Sequence, residues 1–546
     1  MSLENAVVRR PHVRCLLASL LVVPLACIAQ SADVTLDFSK ASPAVVADFV
    51  LSEPVQALRF RTGGQVRKRT WALPAGASLG ADGNSIVFRQ PTQAFSIGLG
   101  AFSRDGEVDR VYSPVIAFGD GDAALVYTEY LLPTSGGAVK LRPGGVRDGD
   151  AVQAGGLAWR PNDADGYLLL GRSRTQDAPA FKLTMDKAAP AWAKDWIAQV
   201  AARTLAYYEA RLGPNGVKKP WLVASFTEAE REGAFFRGDT SGGAIRLNLM
   251  GRGWQLRSAA NEARLSRFVA HELFHLWNGH AFHADERQEW LLEGGADAAA
   301  HEALVQTGLL SPALQQQYIE EGFIRCAMAR GNTLGQKLSG GGRLFYDCGS
   351  AVFHLAARLL APADSPPVAN LWASIFSLSG ASHAYSAQTL LATVRAADER
   401  ALAMLSGLLN SKATWAATLD AEVPAFGLRR STPEDVKNPA IAESYLNSFV
   451  IAAVRQDCRG ATSVSYDNLV FQIDALPSCE LLKTSFDVTR VEGLVMADNP
   501  PAAAAAAMAT CASQPRVTLA DGKGRSVAFA CDALPRAPGT FVLPRF

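Results

Sequence analysis

At 546 residues the chain is too long for a single hydrophobic core, so two to four domains are expected. Hydrophobic residues make up 49% and charged residues 19%, the balance of a folded globular protein rather than a disordered or fibrous one. A formal net charge of +1 leaves no global field to attract nucleic acid or an anionic membrane, and the one basic cluster, Arg67-Lys68-Arg69, reads as a solvated strand end.

In chain order, Arg9, Arg10 and Arg14 precede an apolar run from Cys15 to Ala29. A basic start, a short apolar stretch and small residues at its end make a secretory signal peptide over residues 1–29, cleaved after Ala29. The run is too short for a comfortable membrane span, and no later stretch is long and apolar enough for one. Leu25-Ala26-Cys27 hints at a lipoprotein site, but Pro24 sits badly there. The mature chain is therefore expected to be exported, periplasmic or secreted, without a transmembrane segment. Cys326, Cys348, Cys458, Cys479, Cys511 and Cys531 then remain, an even number in an oxidising compartment. Their short separations favour pairing between sequence neighbours.

Residues 33–190 alternate apolar and polar residues, as in Val34-Thr-Leu-Asp-Phe and Ser85-Ile-Val-Phe-Arg, with glycine, aspartate and proline punctuation. The pattern predicts an N-terminal domain of β-sandwich type, in which Asp120 and Asp122 are turn residues. From residue 191 the period changes. Trp192, Trp196, Ile197, Val200, Leu205 and Tyr208 fall at helical spacing, and Gly213 is a C-terminal cap. Two strands follow, over 220–226 and 242–250.

Residues 267–301 carry the chemistry. His271-Glu-x-x-His275 on a helix stacks two imidazoles on one face, within reach of one ion. Glu272 stands about 100° round the helix, beside such an ion rather than on it, where a general base for an activated water belongs. A catalytic zinc takes three protein ligands and keeps a fourth position open. Glu293, in a second alanine-rich helix, is the candidate third ligand. His280 or His283 is the alternative, suggested by the extended motif His-Glu-x-x-His-x-x-Gly-x-x-His, whose register fails at Asn278 and Ala281. Asp297 lies one turn after Glu293 and can accept the free N–H of a ligating histidine.

Phe268 to Gly279 together with Trp290 to Ala298 resembles the gluzincin metallopeptidases of the aminopeptidase / leukotriene-hydrolase superfamily, and among them the glycyl-aminopeptidase relatives. The resemblance implies a multidomain α+β chain with a thermolysin-like zinc domain over 191–435. It also implies one Zn²⁺ on His271, His275 and Glu293, with Glu272 as base. Phe345-Tyr-Asp-Cys-Gly resembles the segment in which a tyrosine supports the oxyanion, so Tyr346 takes that role; Cys348 stands where the family has lysine. The substrate-pairing edge strand would be Gly243-Ala244-Ile-Arg246-Leu-Asn248, in which the family's amine-binding glutamate is missing. After residue 439 strands return around a helix over 502–512, a small β-rich C-terminal domain (436–546) that resembles the PDZ-type domain of some relatives.

The expected function is an exported zinc metallopeptidase acting on peptides or proteins in an aminopeptidase-like manner. An endopeptidase or narrow-range peptidase without free-amine selectivity, and a non-catalytic metal-containing binding protein, are the alternatives.

Overall fold

The structure is a computed structural model that describes residues 32–542 apart from 39–44, 102–114, 135–138, 147–152, 155–166, 228–232, 361–366, 418–428, 459–463, 474–477, 536–540 and breaks of one to three residues. The expected signal sequence lies outside the described residues.

Three β-sheets and a helical layer are stacked in chain order. β1 (Ala32–Phe38), β2 (Val45–Arg59), β3 (Trp71–Ala72), β4 (Ala77–Leu79), β5 (Ser85–Leu99) and β8 (Val139–Val146) form the first sheet, ordered β3-β5-β2-β1-β8 with β4 also on β5. β6 (Val115–Ala117), β7 (Ala123–Tyr127), β9 (Gln153–Ala154) and β10 (Tyr167–Gly171) form the second, ordered β6-β7-β10-β9. Every residue of β7 and β10 is buried, because this sheet is covered on both faces. Val126, Leu168 and Leu170 pack towards the first sheet, whereas Leu125, Tyr127, Tyr167 and Leu169 pack against Trp221, Val223 and Ala244 of the third.

The third sheet holds β11 (Thr175–Asp177), β12 (Lys182–Met185), β13 (Trp221–Thr227), β14 (Phe235–Ser241) and β15 (Ala244–Met250) in the order β11-β12-β13-β15-β14. Its far face carries Leu222, Ala224, Ile245, Leu247 and Leu249 into the helical core. Asp186 ties the second sheet to the third. Its carboxylate accepts backbone N–H bonds from Gly119 at 2.5 Å, Ala188 at 2.9 Å and Phe226 at 3.0 Å. Asp122 is a turn residue, its N–H on Asp120 at 2.8 Å and its carboxylate paired with Lys187.

Arg67-Lys68-Arg69 is not a strand end. It lies in a short helix, α1 (Gly64–Thr70), and Arg67 is buried over the rings of Phe60 and Trp71, since a guanidinium tolerates burial against aromatic faces.

α2 (Ala191–Leu212) has the expected bounds, and Gly213 ends it with φ 78°. It braces α3 (Ala259–His275), which starts on a Ser258 cap. Trp196 bonds Ser266 at 2.9 Å, and the buried Tyr208 hydroxyl donates to Ala270 O at 3.1 Å, one residue before His271. α4 (Gly295–Gln306), α5 (Pro312–Met328), α6 (Leu334–Leu338), α7 (Arg343–Leu360), α8 (Pro367–Ser379), α9 (Ala387–Arg395) and α10 (Glu399–Leu409) continue the helical layer, with Trp372 in its core. No helix among the described residues is long and apolar enough to cross a membrane.

The C-terminal region has its own core. It opens with a helix, Pro439–Asp457, where only strands were expected. Ile441, Tyr445, Leu446, Phe449, Val450 and Ala453 are buried at helical spacing, which the β-branched and aromatic content masks in a composition-led reading. A three-stranded and a four-stranded sheet and the helix Pro500–Ser513 follow. The three expected disulfides are all present, Cys326–Cys348, Cys458–Cys479 and Cys511–Cys531, and point to an oxidising, extracytoplasmic compartment.

One contact in this layer has no slack. Gly349 of α7 lies on the turn before α4, so that a Cβ there would stand 2.2 Å from Trp290 O and 2.9 Å from Gly294 Cα. Gly349→Ala must push the backbones apart, which typically costs about 1–3 kcal/mol. We expect a lower melting temperature together with substoichiometric metal, because the displaced turn carries Glu293; thermal denaturation and metal analysis of the same preparation check both.

Candidate metal centre and catalytic site

α3 ends at His275 in a π-helical turn, Leu276–Ala281, and a second π-helical turn, Trp290–Gly294, leads into α4. Such turns widen the helix by one residue and re-aim side chains, and they concentrate at functional sites. Here they turn Asn278 back towards His275 and present Glu293 to both imidazoles.

The hydrogen bonds fix the tautomers. His271 Nδ1–H donates to the Asp297 carboxylate at 2.9 Å. Asn278 Nδ2 donates to Leu292 O at 2.8 Å, so its Oδ1 is the acceptor for His275 Nδ1–H at 2.9 Å. Both Nε2 lone pairs therefore point inward, 3.1 Å apart, with Glu293 Oε2 at 3.2 Å from one and 3.6 Å from the other. Facing lone pairs repel unless a proton or a cation lies between them. A tetrahedral ion with bonds of about 2.0–2.1 Å sets its ligand atoms roughly 3.3 Å apart, a distance these three separations bracket. The donor set of two imidazoles and a carboxylate fits zinc. His280 and His283 are exposed and stand outside this group.

Electrostatics agree. Burial pulls the His271 imidazole down, but its bonds to Asp297 and Glu293 outweigh that and hold it up to about 10. Burial would raise Glu293 and Asp297 as well, yet the histidines hold both far below the usual carboxylate range. Without an ion, the site keeps a proton that a metal must displace. Glu272 is buried beside the group, and burial pushes it up to about 7 against the pull of both imidazoles, a value suited to a general base near neutral pH.

Tyr346, in the first turn of α7, joins the group. Its ring stacks on His271 with centroids 5.5 Å apart, and burial with the nearby carboxylates, Glu293 first, holds its hydroxyl well above 10, so it stays a donor.

The strand expected to pair with a substrate does not lie at the edge of its sheet. β15, which carries Ala244, Arg246 and Asn248, is hydrogen-bonded on both sides, to β13 and β14, and so is not an edge; Gly243 precedes it. Arg246 and Asn248 face the second sheet, away from α3, where Arg246 pairs with Asp239 and Asn248 with Ser225. The edge is β14. Its sequence, Phe235-Phe-Arg-Gly-Asp-Thr-Ser, reads as a loop because edge strands carry polar residues that discourage further pairing. On the face towards α3, Phe236 stacks on Phe268, and Thr240 donates to Glu272 O at 2.9 Å. Gly238 between them leaves room for the base: a Cβ there would stand 2.4 Å from Glu272 Oε1. Of these residues only Asn278 left a legible sign, its position three residues after His275.

Asp297→Asn should weaken zinc about 10- to 100-fold without unfolding the chain, as second-layer partners of ligating histidines typically do. Because binding displaces a proton from His271, the apparent affinity should rise with pH through the neutral range, up to roughly tenfold per unit. Competition with a chelator at several pH values measures both.

No protein-family model and no curated protein matches this sequence. Solved structures do. An aminopeptidase N family protein from Idiomarina loihiensis superposes with a TM-score of 0.56 at 11% identity, over 94% of this chain and 98% of that one. Legionella pneumophila aminopeptidase A in complex with aspartic acid gives 0.44 at 12% identity, over 70% and 49%. A two-domain M1 zinc metallopeptidase bound to L-tryptophan gives 0.40 at 13%, over 69% and 93%. The first of these shows that the chain has the multidomain α+β fold of an aminopeptidase N family protein over the length that superposes.

Proposed function

We propose that the protein is an exported zinc metallopeptidase that hydrolyses peptide bonds with an activated water. The observation that carries this reading is the convergence of His271, His275 and Glu293 beside a buried glutamate, Glu272, held near neutrality. His271, His275 and Glu293 would hold the zinc, which when bound lowers the pKa of a water and polarises the substrate carbonyl. Asp297 and Asn278 keep the two imidazoles in the tautomer that points Nε2 inward. Glu272 takes the proton of the attacking water and passes it to the leaving amine. Tyr346 donates its O–H to the oxygen on which negative charge develops. β14, the last strand in the sheet order among the described residues, would lay an extended peptide beside Glu272. A binding protein with a structural metal would need no buried base at this position. Residues 1–29 would serve as the export signal, in keeping with the disulfides.

A second reading within this class concerns the substrate's amino terminus. A buried ammonium needs a partner of opposite charge. The carboxylate of the edge strand, Asp239, is already neutralised by Arg246 and accepts the Tyr167 hydroxyl at 2.6 Å. Glu262, in an ion pair with Arg257, and Glu289, exposed at the start of the turn to Glu293, offer no buried alternative. This favours a peptidase that tolerates blocked amino termini over a strict aminopeptidase.

Glu272→Gln should retain about one zinc per chain while kcat falls by roughly 10²–10⁴, the usual contribution of a positioned acid–base group. Unchanged turnover in that variant would end the hydrolytic reading. Tyr346→Phe should keep zinc and KM and lower kcat about 10²- to 10³-fold, roughly 3–4 kcal/mol. For a peptide and its N-acetylated twin, kcat/KM should differ by less than about a hundredfold, or 2.7 kcal/mol; a larger preference for the free amine would restore the strict aminopeptidase.

A further inference from the structure

Tyr346 occupies the first turn of α7, where a helix's own hydrogen-bond ladder holds the backbone least. A donor that must meet a developing charge has to be fixed to within a fraction of an ångström. The ring rests on His271 and under the Arg343 guanidinium, and its backbone is fixed by the residues that follow it. Cys348 is bonded to Cys326 of α5, and both are completely buried. Between tyrosine and cysteine, the buried Asp347 receives Arg325 Nε at 3.0 Å, from the residue next to Cys326, and Arg343 Nε at 3.3 Å. Arg325 is held in turn by Glu321 at 3.1 Å. Two residues apart on a helix means about 200° of rotation, so the disulfide grips the back of the turn whose front carries Tyr346. On the remaining side Gly349 rests on the backbone of the Glu293 turn.

We propose that the Cys326–Cys348 disulfide and the Arg325–Asp347 ion pair are positioning devices for Tyr346, setting the turnover step rather than metal or substrate binding. This rests on the peptidase reading above. The disulfide and the ion pair converge on one turn, on the two residues that directly follow the proposed oxyanion donor.

The test compares Cys326→Ser/Cys348→Ser and Asp347→Asn, each in the wild-type and in the Tyr346→Phe background. The readouts are kcat, KM, zinc per chain and amide hydrogen exchange of residues 344–352 in the metal-free protein. Positioning predicts faster exchange in that segment and a kcat about ten- to a hundredfold lower, with KM and zinc unchanged. In the Tyr346→Phe background the same changes should lower kcat by less than about twofold, because the group they position is already gone. Equal losses in both backgrounds, or an unchanged kcat, overturn the proposal. If the cysteine pair fails to fold, Asp347→Asn, which keeps the disulfide, decides alone. Failure of the peptidase reading looks different: wild type and Glu272→Gln would then be indistinguishable, whereas a Glu272-dependent activity without coupling to Tyr346 sinks only the positioning role.

Discussion

Two imidazoles that turn their lone pairs on each other at 3.1 Å are the constraint from which the rest of the site follows. Neither ring is free to rotate away, because Asp297 holds one Nδ1–H and Asn278 the other. The repulsion is therefore built in, and only positive charge relieves it. A proton does so in part, and the bonds to Asp297 and Glu293 hold His271 up to about 10 in spite of its burial. A divalent cation with Glu293 as third donor does so better, since it satisfies all three atoms at once.

Holding that arrangement requires rigidity from several directions. Tyr208 of α2 anchors α3 one residue before His271, and Tyr385 donates to Asn278 O at 2.5 Å behind the π-helical turn. The mutual contact of Gly294 and Gly349 brings the backbone under Glu293 and the backbone after Tyr346 together without intervening side chains. Small residues at these crossings let two helices share one site, at the cost of any tolerance for substitution.

The sheet layers set the electrostatics. Because the second sheet covers the third, Arg246 is buried and must find a counter-charge, and it finds Asp239 across the ladder. That pairing places a cation and an anion close behind the edge strand and leaves Glu272 as the buried carboxylate on its near face. Burial is the largest influence on Glu272, and Asp239 adds to it, whereas the imidazoles oppose it. The result is a carboxyl poised to accept and return a proton.

The sequence alone determined whatever depends on short-range periodicity. The His271-Glu-x-x-His275 spacing puts both rings on one helix face whatever the surroundings, and Glu293 with Asp297 share a face for the same reason. The disulfide partners were legible because short loops close most readily. Only tertiary structure decided the rest. The edge strand β14 escaped detection because its polar residues carry no alternating pattern, and the family resemblance pointed to β15 as the edge, whereas β14 pairs along the outer side of β15. The helix Pro439–Asp457 was hidden by residues that also favour strands, and its buried face is defined only by tertiary neighbours, the helix Pro500–Ser513 and the C-terminal strands among them. The approach of Gly238 to Glu272 and of Gly294 to Gly349 joins segments far apart in the chain, and no local pattern encodes which distant backbone will come to lie against these glycines.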